Sequence, residues 1–206
     1  QGNRWIISAR GIKKMTFYPP IFNIRQIDDK GTEVRAFLLD QSKQLWVASK
    51  SGFIRIYNPD GTLKGNLTPQ GGITTNEVKF QANVYCFHEE TDGTIWMGTK
   101  NNGLYQLQKS TNNAYSIKKF AHNDNDKYSL SSNDIYSIFT DSKHNTWIGC
   151  YGGGLNLIKK QEDGSIRFIH HKNELKNFPA EGYLNVRIIS EVADSVMLIG
   201  TTSGII

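Results

Sequence analysis

The sequence has little of what marks a metal-dependent enzyme, a disulfide-stabilised domain or a membrane protein. The two cysteines, Cys86 and Cys150, have no CxxC or zinc-like spacing and predict neither a metal site nor a disulfide framework. No run of eighteen apolar residues is present, so we expect no direct membrane insertion by this segment. The N-terminus also lacks the pattern of a secretory signal, although a signal could have been removed from it.

The sequence also lacks a basic block and any histidine motif typical of a metal site. The net charge of +5 arises from Lys and Arg residues scattered among Asp and Glu, without a basic block, so no nucleic-acid partner is predicted. The five histidines show no HExxH motif or paired metal spacing, and we predict no metal and no other cofactor. Since 38% of the residues are hydrophobic, the chain can still bury a sizeable core.

One phrase is repeated along the chain about every fifty residues. Full copies occupy 34–57, 84–107 and 135–158, a degenerate copy occupies 186–206, and the back half of a fifth occupies 4–17. The residues at the anchor position of these copies are Trp5, Trp46, Trp96, Trp147 and Leu198. Self-similarity at this period is typical of a propeller or a solenoid.

Each full copy predicts one propeller blade. Residues 34–39 alternate between two faces, and a polar turn then leads into the tryptophan strand, which indicates a β-hairpin. A turn with glycine and a third strand rich in β-branched and aromatic residues follow, with room for a fourth strand. Three or four antiparallel strands in about fifty residues fit a blade.

We therefore expect residues 1–206 to form a single all-β segment of a β-propeller with four-stranded antiparallel blades. The segment comprises three full repeats and a partial blade at each end. Both partial blades contain the tryptophan strand, so they cannot merge into one blade and close a ring. The sequence predicts part of a larger propeller of the seven-bladed type.

Two slots of the repeat have predictable structural duties. An acid recurs six places before the tryptophan, as Asp40, Glu90 and Asp141, and is expected to cap the turn between the first two strands by accepting backbone N–H bonds. The residue two places after the tryptophan is always small, as expected where neighbouring sheets approach closely. These small residues are Ala48, Gly98, Gly149 and Gly200. Cys86 and Cys150 occupy slots shared with other small residues and are expected to be packed rather than reactive.

One end of the blades is the expected ligand-binding face. The turn after the tryptophan strand and the entry to the first strand lie at the same end of an antiparallel blade, and propellers generally bind ligands at one such end. Amide, cationic and aromatic groups suit a sugar, because a ring stacks on the aromatic group and amides bridge hydroxyls. Asn before a strand also serves as ordinary turn chemistry, and that alternative stays open. The candidate ligand-binding residues are Tyr151, Lys100, Asn101, Lys50, Arg10, Asn133, Asn83 and Asn185. Tyr151 is the strongest candidate, since the glycines beside it leave it uncovered.

The repeat resembles the two-component regulator propeller repeat. The resemblance rests on DSKHNTWIGCYGGGLNLI (141–158), on ETDGTIWMGTKNNGLYQL (90–107) and on SLSSN (129–133) ahead of the next blade. It implies a periplasmic ligand-sensing region of a hybrid two-component system, placed before a membrane span, a histidine kinase and a response regulator. It further implies ligands derived from polysaccharides.

We accordingly expect an extracytoplasmic sensing or interaction segment that is not itself an enzyme, because the kinase motifs of such a parent protein are absent. The expected partners are an oligosaccharide or other small ligand, further blades of the parent propeller, and a second copy in a homodimer. The alternative is a propeller enzyme, streptogramin-lyase-like or active on glycans. Such an enzyme would need a histidine and acid pair that departs from the repeat, and none stands out, although 68–82 and 172–185 are irregular enough to hide one.

Overall fold

The computed structural model describes residues 3–8, 11–16, 33–110, 114–193 and 196–206. The chain divides into two compact units, Gln1–Thr32 and Glu33–Ile206. The described part of the first unit is an antiparallel hairpin of β1 (Asn3–Ser8) and β2 (Gly11–Thr16), with Trp5 opposite Lys14. No helix in the described ranges is long and apolar enough to cross a membrane.

The second unit contains four antiparallel sheets whose strands follow chain order. The first sheet comprises β3 (Val34–Leu39), β4 (Leu45–Ser49), β5 (Ile54–Tyr57), β6 (Leu63–Leu67) and β7 (Ile73–Thr74). The second comprises β8 (Asn83–Glu89), β9 (Ile95–Lys100), β10 (Leu104–Lys109) and β11 (Tyr115–Phe120). The third comprises β12 (Ile135–Thr140), β13 (Thr146–Cys150), β14 (Gly154–Lys160) and β15 (Ile166–His170). The fourth comprises β16 (Val186–Ala193), β17 (Val196–Thr201) and β18 (Gly204–Ile205), preceded by the helical turn α1 (Ala180–Tyr183).

These sheets are successive propeller blades, as predicted. The first strand of each sheet contacts the first strand of the next, so β3, β8, β12 and β16 form a series of neighbours. The predicted four strands occur in the second and third sheets. The first sheet gains β7 because a turn at Thr68, with Gly71 at φ +88°, returns the chain alongside β6.

Apolar side chains from neighbouring blades form the core between the sheets. The Trp46 ring lies 6.4 Å from Phe87 of the next blade, between ring centroids, and 5.1 Å from Tyr115. Cys150 lies in the cluster between the second and third blades, and Cys86 packs against that cluster. Both thiols are free, and burial raises the pKa of each to about 12, which confirms that they are packed rather than reactive.

The small slot after the tryptophan has the predicted cause. A Cβ atom on Gly149 would lie 2.6 Å from Cγ1 of Val186, in the first strand of the next blade. A Cβ atom on Gly98 would lie 2.5 Å from Cγ2 of Ile135, again in the next blade. The close approach of neighbouring blades therefore excludes a side chain at these two positions.

The acid slot caps the first turn in two of the three full copies. Asp40 accepts a hydrogen bond from the backbone N–H of Gln44 at 2.8 Å, and Asp141 accepts one from that of Asn145 at 2.8 Å. Glu90 differs from the prediction, because its longer side chain bonds to the next blade. Its place in the turn is taken by Asp92, which accepts the N–H of Thr94 at 2.8 Å.

Candidate functional site

The first strand of each sheet in the second unit has a β-bulge near its beginning. In β3, Val34 pairs with Ser49 and Ala36 pairs with Ala48, so Arg35 has no partner in the ladder. The same register shift recurs in β8, β12 and β16. Bulges re-aim a side chain and often lie beside functional sites. The four bulged residues, which we call the bulge row, are Arg35, Tyr85, Tyr136 and Arg187.

Members of the bulge row contact one another from blade to blade. The Arg35 guanidinium lies 5.5 Å from the centre of the Tyr85 ring, and that ring lies 4.9 Å from the Tyr136 ring. The Arg187 guanidinium lies 4.5 Å from the Tyr136 ring and 4.8 Å from the Tyr151 ring. Tyr151 thereby joins one end of a continuous aromatic and cationic surface that crosses four blades.

Hydrogen-bond donors of this surface are left free. Among the described residues, none accepts a hydrogen bond from the hydroxyl of Tyr85, Tyr136 or Tyr151. Arg35 pairs with Glu33 at 3.5 Å, but Arg187 has no ion pair with any residue in the described ranges. The surface can therefore offer phenol and guanidinium donors to a ligand.

The structure places Tyr151 where the sequence predicts it, half-buried in the turn after the tryptophan strand. Lys50 lies in the equivalent turn and is engaged by Glu33 at 3.0 Å. Lys100 is half-buried and pairs across the ladder with Asn83, which is exposed. Arg10 lies outside the described residues. The ligand role of these side chains stays a prediction.

The other candidate amides link backbone segments. The side-chain oxygen of Asn133 accepts a hydrogen bond from the backbone N–H of His122 at 2.7 Å. The side-chain oxygen of Asn185 accepts one from the backbone N–H of Gly152 at 3.0 Å. The N–H of Asn101, a residue at φ +66°, is donated to Asp134 at 2.6 Å. Of the two roles that the sequence left open for the Asn residues before a strand, these contacts favour turn chemistry for Asn133 and Asn185.

Sequence reasoning missed the bulge row, although a signal was present. The second residue of each repeat copy that begins at 34, 84, 135 or 186 is Arg or Tyr, whereas its neighbours on both sides are apolar or small. Such large polar residues at one slot of every copy are unusual for a strand that lies between sheets. The alternation of residues 34–39 predicts a regular strand, and the structure has a bulge that interrupts it at Arg35.

A second polar cluster lies at the opposite end of the blades, where the first and second strands turn. An inter-blade cleft of about 580 Å³ opens there between the second and third sheets. Its polar lining includes His88, Glu90, Asp92, Thr140, Thr146 and Lys160. His88 departs from the repeat, since the same slot holds Leu38 and Phe139 in the other full copies, whereas Glu90 belongs to the recurrent acid slot.

In this cleft each group donates its proton to the next one, from His88 through Thr140 and Thr146 to Glu90. Thr146 donates its hydroxyl to Glu90 at 2.7 Å, so it must accept from Thr140, whose hydroxyl lies 3.0 Å away. Thr140 has then used its proton, and it accepts from Nε2 of His88 at 2.8 Å. Lys160 completes the chain by donating to Glu90 at 2.8 Å.

This direction determines what His88 can do. Its Nε2 carries a proton and donates it, so that nitrogen cannot act as a general base toward Thr140. Burial lowers the pKa of His88, although the charge of Glu90 opposes the shift. No group of three or more His, Cys, Asp or Glu side chains suited to a metal ion occurs in the described parts of the chain. The hydrogen bonds from His88 to Thr140 and from Thr146 to Glu90 link the second and third blades.

Comparison of sequences relates part of the chain to signalling proteins. Residues 129–152 match the family model of the two component regulator propeller. Histidine kinase P4 of Formosa agariphila is 29% identical over 133 residues, which are 60% of this chain and 9% of that protein. The chain thus spans only a small part of this curated relative.

Comparison of structures agrees on the fold. Virginiamycin B lyase from Staphylococcus aureus, in a catalytically inactive form with quinupristin, aligns with a TM-score of 0.54 at 17% identity, over 84% of this chain and 50% of that chain. The extracellular domain of a protein assigned to a one component system in B. thetaiotaomicron aligns with a TM-score of 0.50 at 18% identity, over 98% and 33%. The match at residues 129–152 confirms the resemblance predicted from the sequence: this chain carries the two-component regulator propeller repeat.

Proposed function

We propose that the chain is an extracytoplasmic, ligand-sensing segment of a two-component signalling protein, and that it binds a carbohydrate-derived ligand without altering it. The observation that carries the proposal is the bulge row with Tyr151, in which four successive blades present Arg and Tyr side chains as one surface. The family match at residues 129–152 and the histidine kinase relative support the signalling context.

The chemistry of this surface fits a saccharide. Tyr151 is half-buried beside Gly152 and Gly153, which carry no side chains to cover it. Its ring can stack on the apolar face of a sugar, as aromatic residues do with flat apolar surfaces. The hydroxyls of Tyr85 and Tyr136 can bridge sugar hydroxyls, because both donate and accept hydrogen bonds.

A non-catalytic role is supported by the inter-blade cleft. The enzyme alternative requires a base positioned to take a proton. His88, the histidine that departs from the repeat, instead donates toward Glu90 through two threonine hydroxyls. The likeness to virginiamycin B lyase extends to the fold, and what that enzyme acts on is a property of that enzyme.

The proposal also concerns partners and location. It places the chain outside the cytoplasm, in a parent protein whose further blades cover its end sheets and which signals as a homodimer. The exposed apolar residues of the last sheet suit such a cover, since Ile188, Val192 and Val196 are each more than half exposed. It assigns no role to nucleic acid.

The test is calorimetric titration of the full chain with defined neutral and acidic oligosaccharides. We expect saturable binding that Tyr151→Ala weakens about tenfold or more, because the substitution removes a stacking platform. Tyr128→Ala is the matched control, since Tyr128 is half-buried like Tyr151 and bonds to Glu174 away from the bulge row. Consumption of any saccharide, or equal affinity of the Tyr151 and Tyr128 variants, would contradict the proposal.

A further inference from the structure

Positive charge is distributed unevenly along the bulge row. Arg35, at one end, is within 3.5 Å of Glu33, which Lys50 also contacts at 3.0 Å. Arg187, at the other end, is exposed and stacks on Tyr136 and Tyr151 without an acid partner among the described residues. One guanidinium of the row is therefore neutralised and the other is free.

The free guanidinium is held in place by aromatic rings. Its carbon lies 4.5 Å from the Tyr136 ring and 4.8 Å from the Tyr151 ring, so its position is restrained from two sides. Stacking uses the face of the guanidinium and leaves its N–H groups at the edge. An N–H fork held in this way matches the two oxygens of a carboxylate or a sulfate.

Neither Asp134 nor Glu33 forms an ion pair with Arg187. Asp134 is occupied by the N–H of Asn101 at 2.6 Å, and Glu33 is occupied at the far end of the row by Arg35 and Lys50. The hydroxyls of Tyr85, Tyr136 and Tyr151 have no acceptor among the described side chains and backbone, and each can donate to an anionic oxygen. The surface thus offers several hydrogen-bond donors, and among the described residues no acid forms an ion pair with the Arg187 guanidinium.

We propose, on the basis of the proposed function, that the ligand is an acidic saccharide and that Arg187 binds its anionic group beside a sugar ring stacked on Tyr151. The anionic group is a carboxylate or a sulfate, whose shared chemistry is a delocalised negative charge on coplanar or clustered oxygens. Neutral saccharides lack an anionic acceptor for the Arg187 guanidinium, so the site binds them more weakly than acidic ones.

The experiment compares acidic trisaccharides with neutral counterparts of the same sugar. A uronate trisaccharide is titrated against its methyl ester, and a sulfated trisaccharide against its desulfated form, by calorimetry of the full chain. We expect one acidic form to bind at least about tenfold more tightly than its neutral counterpart, because a charge-assisted hydrogen bond is gained. The two arms tell carboxylate from sulfate. Raising the salt concentration should weaken only the binding of the acidic form.

Two variants assign the preference to one side chain. Arg187→Gln should remove the preference for the acidic form and leave the affinity for the neutral form within about twofold. Arg167→Gln is the matched control, since Arg167 also stacks on a tyrosine, at 4.7 Å from the Tyr128 ring, but lies off the bulge row. Equal binding of acidic and neutral forms, or equal effects of the two variants, would overturn this inference and leave the proposed function intact. Absence of any saccharide binding would overturn both.

Discussion

The acid slot of the repeat does more than cap a turn. Asp40 accepts the indole N–H of Trp46 at 2.9 Å, and Asp141 accepts that of Trp147 at 2.8 Å. A buried indole N–H needs such an acceptor, because the desolvated donor is otherwise unpaired. Each acid therefore joins the two strands of its hairpin through the side chain that forms the core.

The second full copy lacks this bond. The indole nitrogen of Trp96 is buried and has no hydrogen-bond partner, because Glu90 bonds to Thr146 and Lys160 instead. Glu90 therefore forms two hydrogen bonds to the next blade, where Asp40 and Asp141 each form a bond to the tryptophan of their own blade. The pair Glu90 and Trp96 is thus a natural control for the pair Asp40 and Trp46.

We predict strong coupling between Asp40 and Trp46 in a double-mutant cycle. Asp40→Ala should lower the free energy of unfolding by about 1–3 kcal/mol, because it leaves a buried indole N–H unpaired. In the presence of Trp46→Phe the same substitution should cost less, since no orphaned donor remains. Urea denaturation of the four proteins measures the coupling.

The control cycle uses Glu90→Ala and Trp96→Phe. Their effects on the free energy of unfolding should add, because no hydrogen bond joins the two side chains. If both cycles gave additive effects, the indole bond of Trp46 would contribute nothing to stability.

The sequence predicted the acid slot but only part of its chemistry. The recurrence of Asp40, Glu90 and Asp141 indicated a structural duty, and the backbone bonds of the two aspartates confirm it. The bonds to the indoles depend on how the tryptophan ring is turned in the core, which a residue pattern does not specify. The one additional methylene of Glu90 changes its partners entirely.

At the scale of the strand, the repeat predicted the hairpins and the small slot, and it missed the bulges. An added residue in one strand is invisible when every copy contains it, because the copies still align with one another. The bulge places Arg35 and its counterparts outside the ladder, where their side chains meet across blades. The candidate site could therefore be predicted at Tyr151 but not along the bulge row.

Close packing of the strands leads to a prediction at Gly149. Gly149→Ala should lower the free energy of unfolding by about 1–3 kcal/mol, because the new methyl group would lie 2.6 Å from Val186 in the next blade. Val186→Ala in the same protein should restore part of the loss by making room. Thermal and urea denaturation provide the measurement.

Gly72→Ala is the matched control for this packing effect. A Cβ atom at Gly72 would lie 3.4 Å from Oγ1 of Thr68, an ordinary contact, and its φ does not require glycine. Its substitution should change stability by less than about 0.5 kcal/mol. A similar loss for both alanine variants would show that backbone freedom, and not the neighbouring blade, determines the cost at Gly149.

At the scale of the whole molecule, the blades are joined by polar contacts at their turn ends as well as by the core. Glu89 accepts the N–H of Gln41 in the preceding blade at 2.7 Å, and Glu191 accepts that of Ser142 at 2.8 Å. Thr140 occupies the equivalent slot between the second and third blades, where the acid is missing. The chain from His88 to Glu90 joins the blades there instead.

Because a histidine takes part in the contact between the second and third blades, we expect the free energy of unfolding to depend on pH in mild acid. Burial lowers the pKa of His88, and it also lowers the pKa of His170 and of His171. Each histidine then binds a proton more readily in the unfolded chain than in the folded one. The stabilisation is complete above the unfolded pKa of 6.5 and is lost as the pH falls below it.

We predict that the free energy of unfolding falls between pH 7.5 and pH 5.5, and that His88→Gln makes the fall smaller. Gln retains an N–H donor for Thr140 but does not titrate, so it removes the contribution of His88 while retaining the link between blades. Urea denaturation at both pH values gives the two slopes. Contributions from Glu89, whose pKa burial raises, cancel because both proteins contain it.

His144→Gln is the control for this pH effect, since His144 lies exposed in the turn of the third blade at φ +62°. Its effect on the pH dependence of unfolding should be smaller than that of His88→Gln, because His144 is exposed at the rim of the cleft, whereas His88 is half-buried and bonds to Thr140. If stability rose on acidification, or if the two glutamine variants behaved alike, the neutral form of His88 would not be what the inter-blade cleft stabilises. If only His88→Gln reduces the change of the unfolding free energy with pH, a neutral imidazole joins the third blade to the second. That interface is the one among the four described sheets at which Thr140 takes the place of the repeated acid.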